Sequence, residues 1–93
     1  MLDRPSLTDR VLQLAGDVLA EQPRSRPIGP DDGLREAGLT SMAVVRLMMA
    51  TEIAFNIEIP NEDLHPDNFR TVRAVARLVE RLVGAQGALP SAE

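Results

Sequence analysis

From Met42 to Phe55 the chain runs without Gly or Pro through residues that favour helix, and its apolar side chains form two stripes on a helical wheel instead of one. Val44, Leu47, Met48, Thr51 and Phe55 recur at i, i+3, i+4, i+7 and i+11, while Met42, Val45, Met49 and Ile53 fall on a second face flanked by Arg46 and Glu52. A small domain has one core, so one of the two stripes must stay near the surface. The stripe carrying Phe55 is expected inside, because excluding its ring from water contributes most. Thr40 is a good N-cap, its hydroxyl placed to accept a free backbone N–H of the first turn, which predicts a helix from about Ser41 to Phe55. The arrangement leaves Ser41 at a helix N-terminus beside a partly exposed patch of Met and Val.

The rest of the chain supplies partners for this helix. Ser6 or Thr8 is placed to cap a first helix reaching about Glu21, with Leu7, Val11, Leu14 and Val18 on one face. Pro23, Pro27, Pro30 and Gly29 make the next stretch a loop, extending to Gly38 and pinned by Leu34, Ala37 and Leu39, with one short turn at Asp32–Ala37. A connection that long is functional or packed down. Asn56 ends the central helix in a left-handed cap, Ile57-Glu58-Ile59 is extended, and Asn61 to Phe69 has room for a short helical turn or two anchored by Leu64 and Phe69. Thr71 caps a last helix to about Val83, with Val72, Val75, Ala76, Val79 and Val83 inward and Gly84 and Gly87 as its stop. The predicted fold is all-α: a bundle of three main helices plus one short helix, with a long first loop. It reads as a single domain, residues 1–93, with a core of about 6–83 and flexible tails at 1–5 and 84–93.

Totals bound what such a bundle does. Of 93 residues, 44% are apolar and 26% charged, which argues against disorder, and Phe55 and Phe69 are the only aromatics, so the core is aliphatic. No apolar run is long enough to cross a bilayer, and the N-terminus lacks the order of a signal peptide, so a cytoplasmic monomer with no membrane partner is expected. Residues 31–70 hold eight acids against three arginines within a net charge of −4, which disfavours nucleic acid as a partner. There is no cysteine, hence no thiol for covalent chemistry. His65 is the only histidine and sits in a Pro-flanked acidic turn, without a nucleophile in register. Asp31-Asp32 and Glu62-Asp63 lack the spacing of a calcium loop. No catalytic or metal-ligating set is expected. Arg73, Arg77 and Arg81, at i, i+4 and i+8, read as a solvated helix face.

In order, the long loop, Gly38-Leu39-Thr40-Ser41-Met42, the apolar helix ending in Phe55, Ile57-Glu58-Ile59-Pro60, the short acidic segment and Thr71-Val72 resemble an acyl carrier protein over about residues 6 to 83. Gly38 to Met42 and Ala54 to Pro60 look closest to the small stand-alone aminoacyl carrier proteins within that family. The resemblance implies that Ser41 is esterified by a 4′-phosphopantetheine arm taken from coenzyme A. The arm's terminal thiol would carry acyl or aminoacyl groups as thioesters. Implied partners are a phosphopantetheinyl transferase, a cargo-loading ligase or acyltransferase, and a downstream acceptor enzyme. Two positions depart from the family's pattern. Thr40 stands where Asp is usual, keeping the capping hydroxyl but not the carboxylate that helps the transferase and its metal. The partner-facing side of the second helix, usually strongly acidic, holds Arg46 and the apolar Met42, Val45, Met49 and Ile53.

The residues support this chemistry on their own terms. A phosphodiester on a first-turn serine sits where unpaired N–H groups and the helix dipole favour an anion. No His or Lys near Ser41 in sequence activates its hydroxyl, so a separate enzyme must supply base and metal. On pattern alone Ser41 is equally a simple capping residue, and Met at helical spacing is ordinarily core. Since the opposite stripe already fills the core, Thr40, Met42, Val45, Arg46 and Met49 are read as a partner surface. The alternative function is an unmodified helical adaptor using the same apolar face.

Overall fold

The computed structural model describes residues 6–23 and 26–86, so the predicted frayed start at 1–5 and the tail from Gly87 onward lie outside the described residues. Three α-helices make the framework: α1, Leu7–Leu19; α2, Ser41–Phe55; and α3, Val72–Gln86. Two short 3-10 helices, Asn61–Asp63 and Pro66–Phe69, lie between α2 and α3, and the described residues include no strand. The expected short fourth helix is thus two separate 3-10 turns, divided at Leu64-His65 ahead of Pro66.

Local chemistry starts each helix as the sequence predicts. The Ser6, Thr40 and Thr71 hydroxyls accept the backbone N–H groups of Asp9, Ala43 and Ala74 at 3.0, 3.1 and 3.1 Å. At the far end of α2, Asn56 adopts φ 53° and donates its N–H to the Glu52 carbonyl, the left-handed termination read from the sequence.

Packing gathers one core. Helix α1 packs against both α2 and α3, while α2 and α3 touch each other less. Val11, Ala15, Val18 and Leu19 of α1 meet Ala43, Leu47 and Phe55 of α2 and Val72, Val75, Ala76, Leu78, Val79 and Leu82 of α3. Leu34, Ala37 and Leu39 bury and pin the long first loop, and its 32–37 stretch is a run of turns rather than a helix. Ile57, Ile59 and Phe69 close the opposite side. Thr51 is the buried polar residue on α2, and its hydroxyl donates to the Leu47 carbonyl at 2.7 Å, so no buried side-chain hydrogen-bonding atom among the described residues lacks a partner.

Several expectations are corrected. Helix α1 ends at Leu19, two residues short of Glu21, where Gln22-Pro23 forces the chain into turns. Leu64 is exposed, not an anchor, because the break between the two 3-10 turns faces it outward while Phe69 alone is buried there. On α3 the buried row includes Leu78 and Leu82, and Val83 is only half-buried, because α1 and the second 3-10 turn cover adjoining faces of the helix. Gly84 does not stop α3. The helix runs on to Gln86, whose side-chain amide accepts the Glu58 N–H at 3.1 Å and donates to the Glu58 carbonyl at 2.8 Å. That pair of bonds copies a strand partner for Ile57–Ile59 and outweighs a glycine's cost to a helix.

Candidate functional site

Ser41 owes its position to three local devices. Gly38 takes φ 114°, a backbone conformation open to glycine, and reverses the chain so that the Leu39 N–H returns to the Leu34 carbonyl at 2.9 Å. Leu39 then enters the core, and Thr40 caps α2. Ser41 is the first helical residue and is exposed. Of the N–H groups in the first turn, Ala43 and Val44 donate to the Thr40 hydroxyl and carbonyl. Among the described residues those of Ser41 and Met42 meet no acceptor, and the turn contains no acidic side chain. An anionic ester on the Ser41 oxygen would therefore face unpaired donors and the positive end of the helix dipole, with no carboxylate from its own turn opposing it.

Beside the serine lies an open groove of about 820 Å³, bounded by the first loop, α2 and the segment from Leu64 to Thr71. Leu39, Val44, Met48, Leu64 and Phe69 give it apolar wall, Asp31, Arg35, Glu36 and Arg70 add charged groups, and Ser41 is one of its lining residues. The exposed oxygen, the unpaired donors and the open groove of mixed apolar and polar lining fit a phosphate-headed arm with alternating aliphatic and amide groups such as 4′-phosphopantetheine.

The two stripes of α2 separate as the wheel requires. Leu47, Thr51 and Phe55 are buried, and Val44 and Met48 are half-buried against the core, joined by Ala43, which the wheel had not singled out. Met42, Val45, Met49 and Ile53 are 74, 47, 56 and 80% exposed. Thr40 and Arg46 are exposed as well, but Arg46 is engaged in an ion pair with Glu21 from the turn after α1. Thr40, Met42, Val45, Arg46 and Met49 thus lie on one accessible side of the helix that Ser41 opens.

Sequence reasoning missed the clasps that hold the loops around this site. Arg73 was expected on a solvated face. It is exposed there with Arg77 and Arg81, and in addition its Nε and Nη2 donate to the Asp31 carboxylate at 2.6 and 3.1 Å, its backbone N–H donates to the Pro30 carbonyl, and the Leu34 N–H donates to the Arg70 carbonyl. Arg81 makes the matching clasp on Asp63 at 3.1 and 3.4 Å. The Arg73 hydrogen bonds hold the Asp31 carboxyl below its ordinary value; desolvation opposes them, and the charges of Arg73 and Arg77 add to the lowering. The i, i+4, i+8 spacing of the arginines was the available signal; the sequence could not show which acids would arrive opposite. His65 is exposed, its Nδ1 accepting the Asp67 N–H at 3.2 Å, and no group of three metal-ligating side chains occurs among the described residues.

Known proteins resemble the chain in sequence and fold. The chain is 32% identical over 80 residues to Aminoacyl carrier protein 2 of Bradyrhizobium diazoefficiens, covering 86% of this chain and 90% of that one. It is 30% identical over 79 residues to the D-alanyl carrier protein of Leuconostoc mesenteroides, covering 84% and 97%. Among solved structures it superposes with a TM-score of 0.70 and 30% identity on a chain of the Bradyrhizobium japonicum glycine:[carrier protein] ligase complex with its cognate carrier protein and an analogue of glycyl adenylate, covering 82% of this chain and 99% of that chain. The corresponding complex with glycylated carrier protein gives a TM-score of 0.68 at 30% identity, covering 78% and 99%. Residues 9–79, from α1 through most of α3, match the family described as Phosphopantetheine attachment site, and the chain belongs to that family: it is a carrier that bears 4′-phosphopantetheine and is not itself a catalyst.

Proposed function

We propose that Ser41 is the attachment point and that the cargo is an amino acid, loaded by an ATP-dependent amino acid:[carrier protein] ligase. The observation that carries the first half is the exposed Ser41 hydroxyl at the start of α2, with unpaired N–H groups beside it and an open groove alongside. In the attachment step a new bond forms between the Ser41 oxygen and the arm's phosphorus while the pyrophosphate bond of coenzyme A breaks. The nucleotide half leaves with the electron pair. The serine proton passes to a base of the phosphopantetheinyl transferase, since the first turn of α2 has no acidic side chain and the one histidine of this chain, His65, has its Nδ1 engaged by the Asp67 N–H. The attached group supplies the terminal thiol that this cysteine-free chain lacks, and on it the cargo is held as a thioester.

The protein's own residues hold and present. Gly38, Leu39 and Thr40 fix the height and direction of Ser41, and the Arg73–Asp31 clasp keeps the first loop against α3. Thr40, Met42, Val45, Arg46 and Met49 offer the face on which the transferase, the ligase and a downstream acceptor enzyme dock in turn. Likeness to aminoacyl carrier proteins, and to a carrier solved with its glycine ligase, supports an amino acid over a fatty acyl cargo. Residues 6–86 act as one carrier domain, working as a cytoplasmic monomer. No described helix is long and apolar enough to cross a membrane.

The test is intact mass after incubation with coenzyme A and a broad-specificity phosphopantetheinyl transferase. A mass gain of one phosphopantetheine that vanishes in Ser41→Ala is the expected result. No gain with several transferases overturns the assignment and leaves the unmodified adaptor, and a gain that persists in Ser41→Ala overturns Ser41 as the attachment point.

A further inference from the structure

The groove beside Ser41 carries four charged side chains, Asp31, Arg35, Glu36 and Arg70. Two of them are committed within the molecule, Asp31 to Arg73 and Arg70 to Asp67. The side chains of Arg35 and Glu36 make no hydrogen bond or ion pair among the described residues, so the groove holds one uncommitted charge of each sign. The turn that bears Glu36 is pinned. The Ala37 N–H donates to the Gly33 carbonyl at 3.1 Å, the Gly38 N–H to the Arg35 carbonyl at 3.0 Å, and the Arg26 guanidinium to the Glu36 carbonyl at 2.6 Å. The Glu36 carboxylate itself lies against Gly33, where a Cβ would come within 2.0 Å of Oε1. Gly33 thus leaves open the space that the carboxylate fills at the wall of the groove.

Charge decides which cargo matches it. An arm on Ser41 has a phosphodiester anion at its root, and with a fatty acyl group on its thiol that is its only charge. An amino acid held through its carboxyl as a thioester adds an α-ammonium at the tip, so the loaded arm then carries one charge of each sign. The root is met by the unpaired N–H groups of Ser41 and Met42 and by the positive end of the α2 dipole. For the tip the groove offers the Glu36 carboxylate. Arg35 attracts the phosphodiester and repels an ammonium, so the two residues sort the ends of the arm. A volume of about 820 Å³ lies within the range of sites that hold small organic groups.

We propose that Glu36 is a specificity-determining residue for the cargo: its carboxylate receives the α-ammonium of an amino acid carried on Ser41 when the loaded arm lies back in the groove. The inference rests on the aminoacyl-carrier reading above and deepens it by naming the group on this chain that tells an aminoacyl from an acyl load. Glu36 is exposed, and an exposed ion pair shifts a population by no more than about fivefold. The arm is therefore drawn back without being locked, and an enzyme can still withdraw it. Pairing also favours the protonated amine, which does not attack the thioester of another loaded carrier.

The test loads the full chain without a ligase, using a phosphopantetheinyl transferase and coenzyme A analogues that carry glycyl, or acetyl lacking the amine, as a stable amide in place of the thioester. The backbone amide resonances of Gly33 and Glu36 are compared between the two arms. They are expected to differ, and the difference to shrink by about half from about 0.05 to 0.5 M potassium chloride, as the screening length shortens about threefold. It is expected to vanish in Glu36→Gln and to fall in Gly33→Ala, which keeps the charge but displaces the carboxylate. Proximity has its own readout, because the chain has no lysine and no cysteine. In Glu36→Lys bearing a glycyl thioester, the new amine attacks the thioester carbonyl. The C–N bond forms, the C–S bond breaks, and the thiol leaves with the amine's proton. Glycyl mass that survives hydroxylamine reports the amide. It is expected to form at least about tenfold faster than in Glu58→Lys, at the opposite end of α2 about 20 Å away. Identical spectra for the two arms, a difference that persists in Glu36→Gln, or equal capture rates overturn the inference while the carrier reading stands. An arm that never adds to the intact mass overturns the attachment reading and this inference with it. The comparison of glycyl with acetyl needs no variant, so its answer does not depend on any substitution folding.

Discussion

Two substitutions on one helix test which apolar stripe of α2 is core. Leu47 is wholly buried and Ile53 is 80% exposed, yet both are four-carbon aliphatic side chains less than two turns apart. Leu47→Ala removes those atoms from water-free surroundings and leaves a cavity, at a cost of about 3 kcal/mol within the usual range for such sites. That is a large part of the roughly 5–14 kcal/mol available to a chain of 93 residues. At about 4–8 °C per kcal/mol, the melting temperature should fall by about 12–24 °C. Ile53→Ala gives up only the fifth of its surface that is covered, about 0.5 kcal/mol, or about 2–4 °C. Urea denaturation followed by circular dichroism measures both, with an unchanged m-value as the check that the transition stays two-state. Equal losses, or a loss above about 1 kcal/mol for Ile53→Ala, would mean that the second stripe is buried and that the exposed face opened by Ser41 does not exist.

Three further perturbations probe how the site is held. Gly38→Ala places a Cβ at φ 114° and should cost about 1–3 kcal/mol in thermal or urea unfolding; a neutral result would remove the reversal that sets Ser41 in place. The Asp31 contribution is complete above its ordinary pKa of 3.8 and is lost as pH falls through the lowered folded value, so Arg73→Gln should move the Asp31 NMR titration midpoint up toward 3.8; an unmoved midpoint refutes the clasp. Gln86→Ala removes both bonds to Glu58, and hydrogen exchange at the Glu58 N–H should speed up while α1 amides are unaffected; unchanged exchange would mean that the end of α3 does not brace the segment after α2.

Thr40 stands where the family's pattern has Asp, at the start of α2. A threonine keeps the cap through its bond from the Ala43 N–H, so the helix starts where an Asp would start it. What is absent is negative charge at position 40 and in the first turn; along α2 the one carboxylate is Glu52.

The chain's sequence determined whatever depends on a single turn of backbone. Ser6, Thr40, Thr71 and Asn56 were legible as helix ends because a hydroxyl reaches an N–H three residues on, and an Asn tolerates φ 53°, with no help from distant residues. The two stripes of α2 were legible because the helix period places them, and having only one core forces one of them out. Tertiary structure alone decided what crosses between segments. Asp31 meets Arg73 across 42 positions, Glu21 meets Arg46 across 25, and Gln86 meets Glu58 across 28. Leu64 faces out and Gly84 stays helical for the same reason. Such outcomes depend on how three helices settle against one another, and residue spacing along the chain carries no information about that.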